Sequence, residues 1–267
     1  MSRIVLISAL PGELKPLVKG WQYERRGILH LWRSTSGETE IVAACAGAGV
    51  ECATRAFAAA ESFGPIDCVV SIGWAGALNA CFEPGCAYLC SGVIDLRSGE
   101  RFSAAEILSH PSRNRTKRRS FGSLRSLRMT AARVGHPYSE TTAISESCWL
   151  ITSPRVADEA EKQRLAAAYS AALVDMEAAA IARLAVMRQI PFHCIKGVSD
   201  GFNDRLPDFN RFLSADGQMQ LGKLIVFALL HPGYWPALVR MGENSKRAAL
   251  AMADAVRELL AELTGTL

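Results

Sequence analysis

The chain predicts an α/β domain built on a mainly parallel, mixed central sheet with helices on both faces. Three observations carry this. Short apolar, β-branched runs alternate with helical segments along the 267 residues, the order that builds a parallel sheet. Several of those runs end in glycine-containing segments, at the carboxyl ends where such folds bind ligands. Hydrophobic residues make up 49% of the composition, enough for one domain spanning residues 1–267 to bury a substantial core.

Residues 3–7 form the first β-branched run and a buried strand. Pro11 and Gly12 break it, and a helix starts at 13–17. Residues 30–33 and 40–44 pair as a hairpin around Ser36-Gly37. Gly47-Ala48-Gly49 leads into an Ala-rich helix that ends near 63–65. Residues 67–72 are the next buried strand, closed by Gly73-Trp74-Ala75-Gly76, and 87–93 a further one. From about 98 to 140 the chain is polar, basic and poorly periodic, as an inserted loop would be. Strand character returns at 148–152. A helix follows at 156–169, a strand at 172–174, and a helix at 176–188 that is apolar all round and therefore buried. Residues 192–198 form the last core strand. Helices at about 215–230 and 236–264, separated by His231-Pro232-Gly233, close the chain. No internal repeat is present.

Charge excludes little and suggests one thing. A net charge of +4 is too mild to point to nucleic acid. Yet Arg113, Arg115, Lys117, Arg118, Arg119, Arg125 and Arg128 fall together with no acidic residue between them. A solvated face is the ordinary reading of such a run. Peripheral contact with an anionic membrane is the functional one. Only Phe121 interrupts the run as a stacking residue, which counts against RNA. The eight cysteines make no CxxC pair and read as small core hydrophobes. Cys81, Cys86 and Cys90 lie close together without a spaced histidine, so no metal site is expected. Met1-Ser2-Arg3 runs straight into a strand, and no apolar run is long enough to span a bilayer. A reduced cytoplasmic protein is expected.

The chemistry concentrates in Asp175-Met176-Glu177, at a strand-to-helix junction, and in Lys196-Gly197-Val198-Ser199-Asp200, at the next strand end. Two carboxylates so placed can divide the work on one small polar molecule, one gripping hydroxyls and the other moving a proton. Residues 9–13, 47–49, 73–76 and 199–200 all fall at strand ends and should converge on one pocket. Position alone leaves alternatives open. Asp200 is a raised-pKa acid or a helix N-cap. Glu13 is catalytic or an ordinary first-turn glutamate. Met176 is a ligand contact or core packing.

Asp175-Met176-Glu177 with Ser199-Asp200, over about 3–95 and 145–205, resembles the purine nucleoside phosphorylase and methylthioadenosine nucleosidase superfamily. The resemblance implies cleavage of a purine–ribose bond, in an adenine nucleoside given Asp200. It implies that Asp200, beside Ser199, protonates the base. Met176 packs under the sugar, and Glu177, next to Asp175, accepts its 2′ and 3′ hydroxyls. Ser8-Ala9-Leu10-Pro11-Gly12-Glu13 is similar to the nucleosidase opening, in which Glu13 orients the attacking water and Lys196 lies near it. Ala48 and Gly49 border the 5′ end, where Ala48 is smaller than its counterpart in the methylthioadenosine enzymes. Trp74, before Ala75 and Gly76, stands where relatives place a small hydroxyl residue touching phosphate or water. That change, and the lack of a phosphate-binding arginine near Ser71-Ile72, favours hydrolysis. Leu206-Pro207, Asp216-Gly217, His231-Pro232 and Pro236-Ala237-Leu238 are similar to the hopanoid-associated branch, which removes adenine from adenosylhopane. No metal or organic cofactor is implied, and a homo-oligomer, dimer or higher, is. Two rival expectations remain: a phosphorylase with phosphate as co-substrate, and a nucleoside-binding protein that has lost turnover.

Overall fold

The computed structural model describes residues 2–104, 148–214 and 216–265. The basic run 113–128 and most of the expected insertion lie outside the described residues.

Eleven strands form one mixed sheet. They are β1 Ser2–Ser8, β2 Gln22–Arg26, β3 Leu29–Ser36, β4 Thr39–Cys45, β5 Cys68–Ala77, β6 Ala87–Leu89, β7 Gly92–Asp95, β8 Arg101–Ser103, β9 Trp149–Thr152, β10 Leu173–Asp175 and β11 Phe192–Asp200. The helices are α1 Pro11–Leu14, α2 Val50–Glu61, α3 Glu159–Ala168, α4 Ala178–Arg188, α5 Leu221–Leu230 and α6 Trp235–Thr264. The strand order is β2-β3-β4-β1-β5-β10-β9-β7-β8, with β11 beside β5 and β6 beside β11. One face buries α2 and α4, through residues such as Phe57 and Ile181. The other buries α1 and the later part of α6, through Leu14, Met252 and Val256. Six of the eight cysteines are buried, as small core hydrophobes should be.

β5 organises the molecule. Its residues 69–76 run parallel to β11. On its remaining edge, residues 68–71 pair with β1, and Gly76 and Ala77 pair antiparallel with β10. Residues 72–75 are left between those two neighbours, and the site opens there.

Several expected boundaries move, each for a physical reason. Gly73-Trp74-Ala75-Gly76 does not close β5 as a turn; the strand continues to Ala77 because β11 partners it as far as Gly76 and β10 pairs with Gly76 and Ala77. Ser199 and Asp200 belong to β11 itself, past a register shift after Val198. The expected strand 87–93 is two strands, since the chain leaves β11 for β9 at Cys90-Ser91. Part of the expected loop forms β8, paired with β7. α4 begins at Ala178, leaving Met176 and Glu177 outside the helix. α1 is a single turn, and α5 starts only at Leu221. The unanticipated β2 is fully exposed and polar, and pairing with β3 is what orders it.

Candidate active site

One cavity gathers most of the expected residues: Glu13, Ala48, Trp74, Ala75, Gly76, Asp175, Met176, Glu177, Ser199 and Asp200 all line it. They come from the ends of β1, β4, β5, β10 and β11, as the strand-end rule requires.

Glu13 occupies the gap on the edge of β5. Its Oε1 accepts the Trp74 backbone N–H at 2.7 Å, and its Oε2 accepts those of Ala9 at 2.9 Å and Leu10 at 2.8 Å. Gly73 lets this carboxylate in. It holds φ at +149°, and a Cβ there would lie 3.0 Å from Glu13 Oε1. Burial pushes the Glu13 pKa up; the three N–H groups and the charge of Lys196 oppose that without cancelling it.

Glu177 lies at the other side of the β10 junction. Gly49 donates its backbone N–H to Oε1 at 2.6 Å, and the Met176 N–H reaches Oε2 at 3.3 Å. Gly49 meets the carboxylate this way because its backbone holds φ at +95°. Burial first, and the charge of Asp175 second, push the Glu177 pKa up to about 8. Asp175, which also lines the cavity, anchors the next helix. It accepts from Thr152 Oγ1 at 2.7 Å and from the Ala178 N–H at 3.0 Å, pinning the start of α4.

Lys196 departs from expectation. It does not line the cavity; its ammonium is buried and sits 2.8 Å from Asp175 Oδ2. Burial works against that ammonium, but Asp175 beside it together with other neighbours, Glu177 among them, pushes its pKa up. Its effect on Glu13 is the reach of a charge, not a contact. Trp74 departs too. Its indole N–H donates to the Ser245 carbonyl at 3.0 Å, tying β5 to α6, and its ring covers Gly12.

Asp200 lies at the end of β11 and lines the cavity. Ser199 Oγ donates to its Oδ1 at 2.6 Å, and Lys162 pairs with its Oδ2. Sequence reasoning missed Lys162, because α3 reads as a solvated charge run. One signal was there: Lys162 and Leu165 are the buried residues of α3, spaced so that they share a face. The cavity continues into an apolar end made by Leu206, Phe209, Leu213, Met219 and Met241.

A family model described as the phosphorylase superfamily matches residues 3–226. The chain belongs to the phosphorylase superfamily. Its reaction class is therefore cleavage of an N-glycosyl bond, by a nucleosidase or a phosphorylase. No curated protein matches the sequence. Solved structures do match this superfamily member in fold. The futalosine hydrolase of Helicobacter pylori aligns at a TM-score of 0.64 and 13% identity, covering 98% of each chain. A mutant nucleosidase of that organism, with 5′-methylthioadenosine in its active site, aligns at 0.62 and 14%, covering 98% of this chain and 99% of that one. The 5′-methylthioadenosine/S-adenosylhomocysteine nucleosidase of Neisseria meningitidis, bound to methylthio-immucillin-A, aligns at 0.62 and 17%, covering 98% and 100%.

Proposed function

We propose that this superfamily member hydrolyses the N-glycosidic bond of an adenine nucleoside carrying a large apolar 5′ substituent, as in adenosylhopane. The observation that carries the reading is one cavity lined both by Glu177 beside Met176 and by Asp200 beside Ser199. Glu177 grips the ribose hydroxyls, Asp200 meets the purine, and Glu13 orients water at C1′ as the bond opens. The relatives of similar fold include enzymes that act on 5′-methylthioadenosine and on futalosine, which supports hydrolysis of a nucleoside.

Charge favours water over phosphate. The basic residues lining the cavity are Arg155 and Lys162, and Lys162 is held by Asp200. A phosphate at Trp74 would face the buried Glu13 carboxyl, and the Trp74 N–H that might have met it donates to Glu13. Among the described residues Arg155 is the one arginine in the cavity lining. For the 5′ end, support comes from Ala48 and from the apolar wall of Leu213, Met219 and Met241, which adjoins the exposed helix α5.

The test is incubation with a panel of adenine nucleosides, with and without phosphate, assaying adenine and the sugar product. Free adenine and ribose formed at the same rate in both conditions are expected. Ribose 1-phosphate would establish the phosphorylase reading instead. Tight binding with no adenine release in either condition would make the protein a nucleoside binder.

A further inference from the structure

We propose that Lys162 is a catalytic residue: it donates the proton to N7 of the departing purine, while Asp200 accepts from the 6-amino group. The proposal deepens the adenine-nucleoside reading above and rests on it.

Lys162 is 2% exposed and lines the cavity. Its ammonium bonds Asp200 Oδ2 and donates to the Gly201 carbonyl at 2.7 Å. Among the described residues these are its two acceptors, so one of its three N–H donors is left for a ligand. Asp200 meanwhile receives donors at both oxygens, from Lys162 and from Ser199. It is therefore arranged as an acceptor, not as a carboxylic acid.

A structural tie between α3 and β11 is the competing explanation, and two observations count against it. A buried ion pair contributes little stability that a well-packed apolar pair would not. And β5 gives up a side chain to admit this one: a Cβ on Gly76 would lie 3.0 Å from both Asp200 Oδ2 and Lys162 Cε. A glycine inside a central strand weakens it, and commonly marks a close approach.

The pair matches adenine. The outer edge of that base offers an acceptor at N7 and donors at the 6-amino group. An ammonium and a carboxylate side by side are its complement, whereas a 6-oxopurine would set an acceptor against Asp200. Asp158 and Arg155 before α3, Asp204 and Asp208 after β11, and Glu13, Asp175 and Glu177 are the other charged groups in its lining among the described residues.

The step balances. The C1′–N9 bond breaks and its electron pair stays on the purine. N7 takes a proton from Lys162, leaving a neutral amine against Asp200. Water adds through its oxygen to C1′ and loses a proton toward Glu13. Once adenine leaves, Lys162 regains a proton from solvent and Glu13 releases the one it took from water.

The experiment compares wild type with Lys162→Met and Lys162→Gln, each first checked for folding by circular dichroism. Turnover of an adenine nucleoside and dissociation constants for an uncleavable analogue and its 7-deaza counterpart are measured. Wild type should prefer the N7 form roughly tenfold or more, as a charge-assisted hydrogen bond allows. In Lys162→Met that preference should fall to near unity, with kcat down about 10²-fold or more. Lys162→Gln can still donate a hydrogen bond but not a proton, so it should keep part of the preference and none of the rate. If Lys162→Met keeps both rate and N7 preference while wild type cleaves adenine nucleosides, the lysine proposal fails and the nucleosidase reading stands. If wild type neither cleaves nor distinguishes the analogues, both fail together.

Discussion

At the scale of single residues, the site holds two carboxyl groups in opposite circumstances. Asp200 has a cation and a hydroxyl on it, whereas Glu177 has one strong N–H donor and is crowded by Asp175. Asp200→Asn should lower kcat by about 10²–10⁴-fold, because it removes the carboxylate that holds the proton donor Lys162 in place. It also strands the buried Lys162 charge, so chemical denaturation should show a loss of up to about 3–5 kcal/mol. Near-normal turnover would remove Asp200 from the mechanism. Glu177→Gln should weaken ribosides strongly and 2′,3′-dideoxy analogues little; equal losses would mean that it does not read the sugar. The same variant tests the electrostatics. A carboxyl whose folded pKa is raised to about 8 binds a proton that the unfolded chain has already released. Wild-type stability should therefore fall as pH rises from the ordinary glutamate range toward about 8, and Glu177→Gln should abolish that fall. Thermal melts of both proteins from pH 5 to 9 would decide, parallel curves counting against the buried, protonated Glu177.

At the scale of elements, β5 and β11 do most of the positioning, and their glycines are the most exposed to test. Gly76→Ala would push a methyl group into the Lys162–Asp200 pair, and Gly73→Ala would press on Glu13 from a strained backbone. Each should cost about 1–3 kcal/mol of stability, the usual price of overpacking, and lower kcat at least tenfold. Variants that keep full activity would show that the pocket side of β5 is not sterically tuned. These glycines also explain how much could be read beforehand. Alternating apolar runs revealed the sheet, its helices and the strand ends where Glu13, Glu177 and Asp200 lie. Gly73 and Gly76 misled, because a glycine in sequence signals a turn while here it admits a side chain from another element. β2 was invisible, since its five residues are exposed and only β3 orders them. Lys162 was hidden among Glu159, Glu161 and Arg164, and Lys196 looked like a site residue though its partner is Asp175. Contacts across elements leave no period in the chain.

At the scale of the whole molecule, the surface is uneven. Leu221, Ile225, Val226, Leu229 and Leu230 of α5, with Trp235 and Val239 of α6, are each half exposed or more. No residue of α5 is buried. Contiguous apolar surface of this kind marks an interaction face. Among the described residues no single helix is long and apolar enough to cross a membrane, although Leu221–Leu230 and Pro232–Thr264, bent at 105°, together reach that length and composition. Leu213, Met219 and Met241 also line the cavity that holds Glu177 and Asp200. The seven basic residues at 113–128 would add up to about 1 kcal/mol each at an anionic surface. We therefore expect co-sedimentation with anionic liposomes and less with neutral ones. Deleting 112–128 should weaken the anionic preference, and Leu229→Ser with Leu230→Ser should weaken binding to both. Leu229→Ser with Leu230→Ser should not alter kcat on a small soluble nucleoside, since neither residue lines the cavity. A protein that stays in the supernatant with both lipids, and cleaves only small nucleosides, would end the lipid-nucleoside assignment and leave the nucleosidase intact.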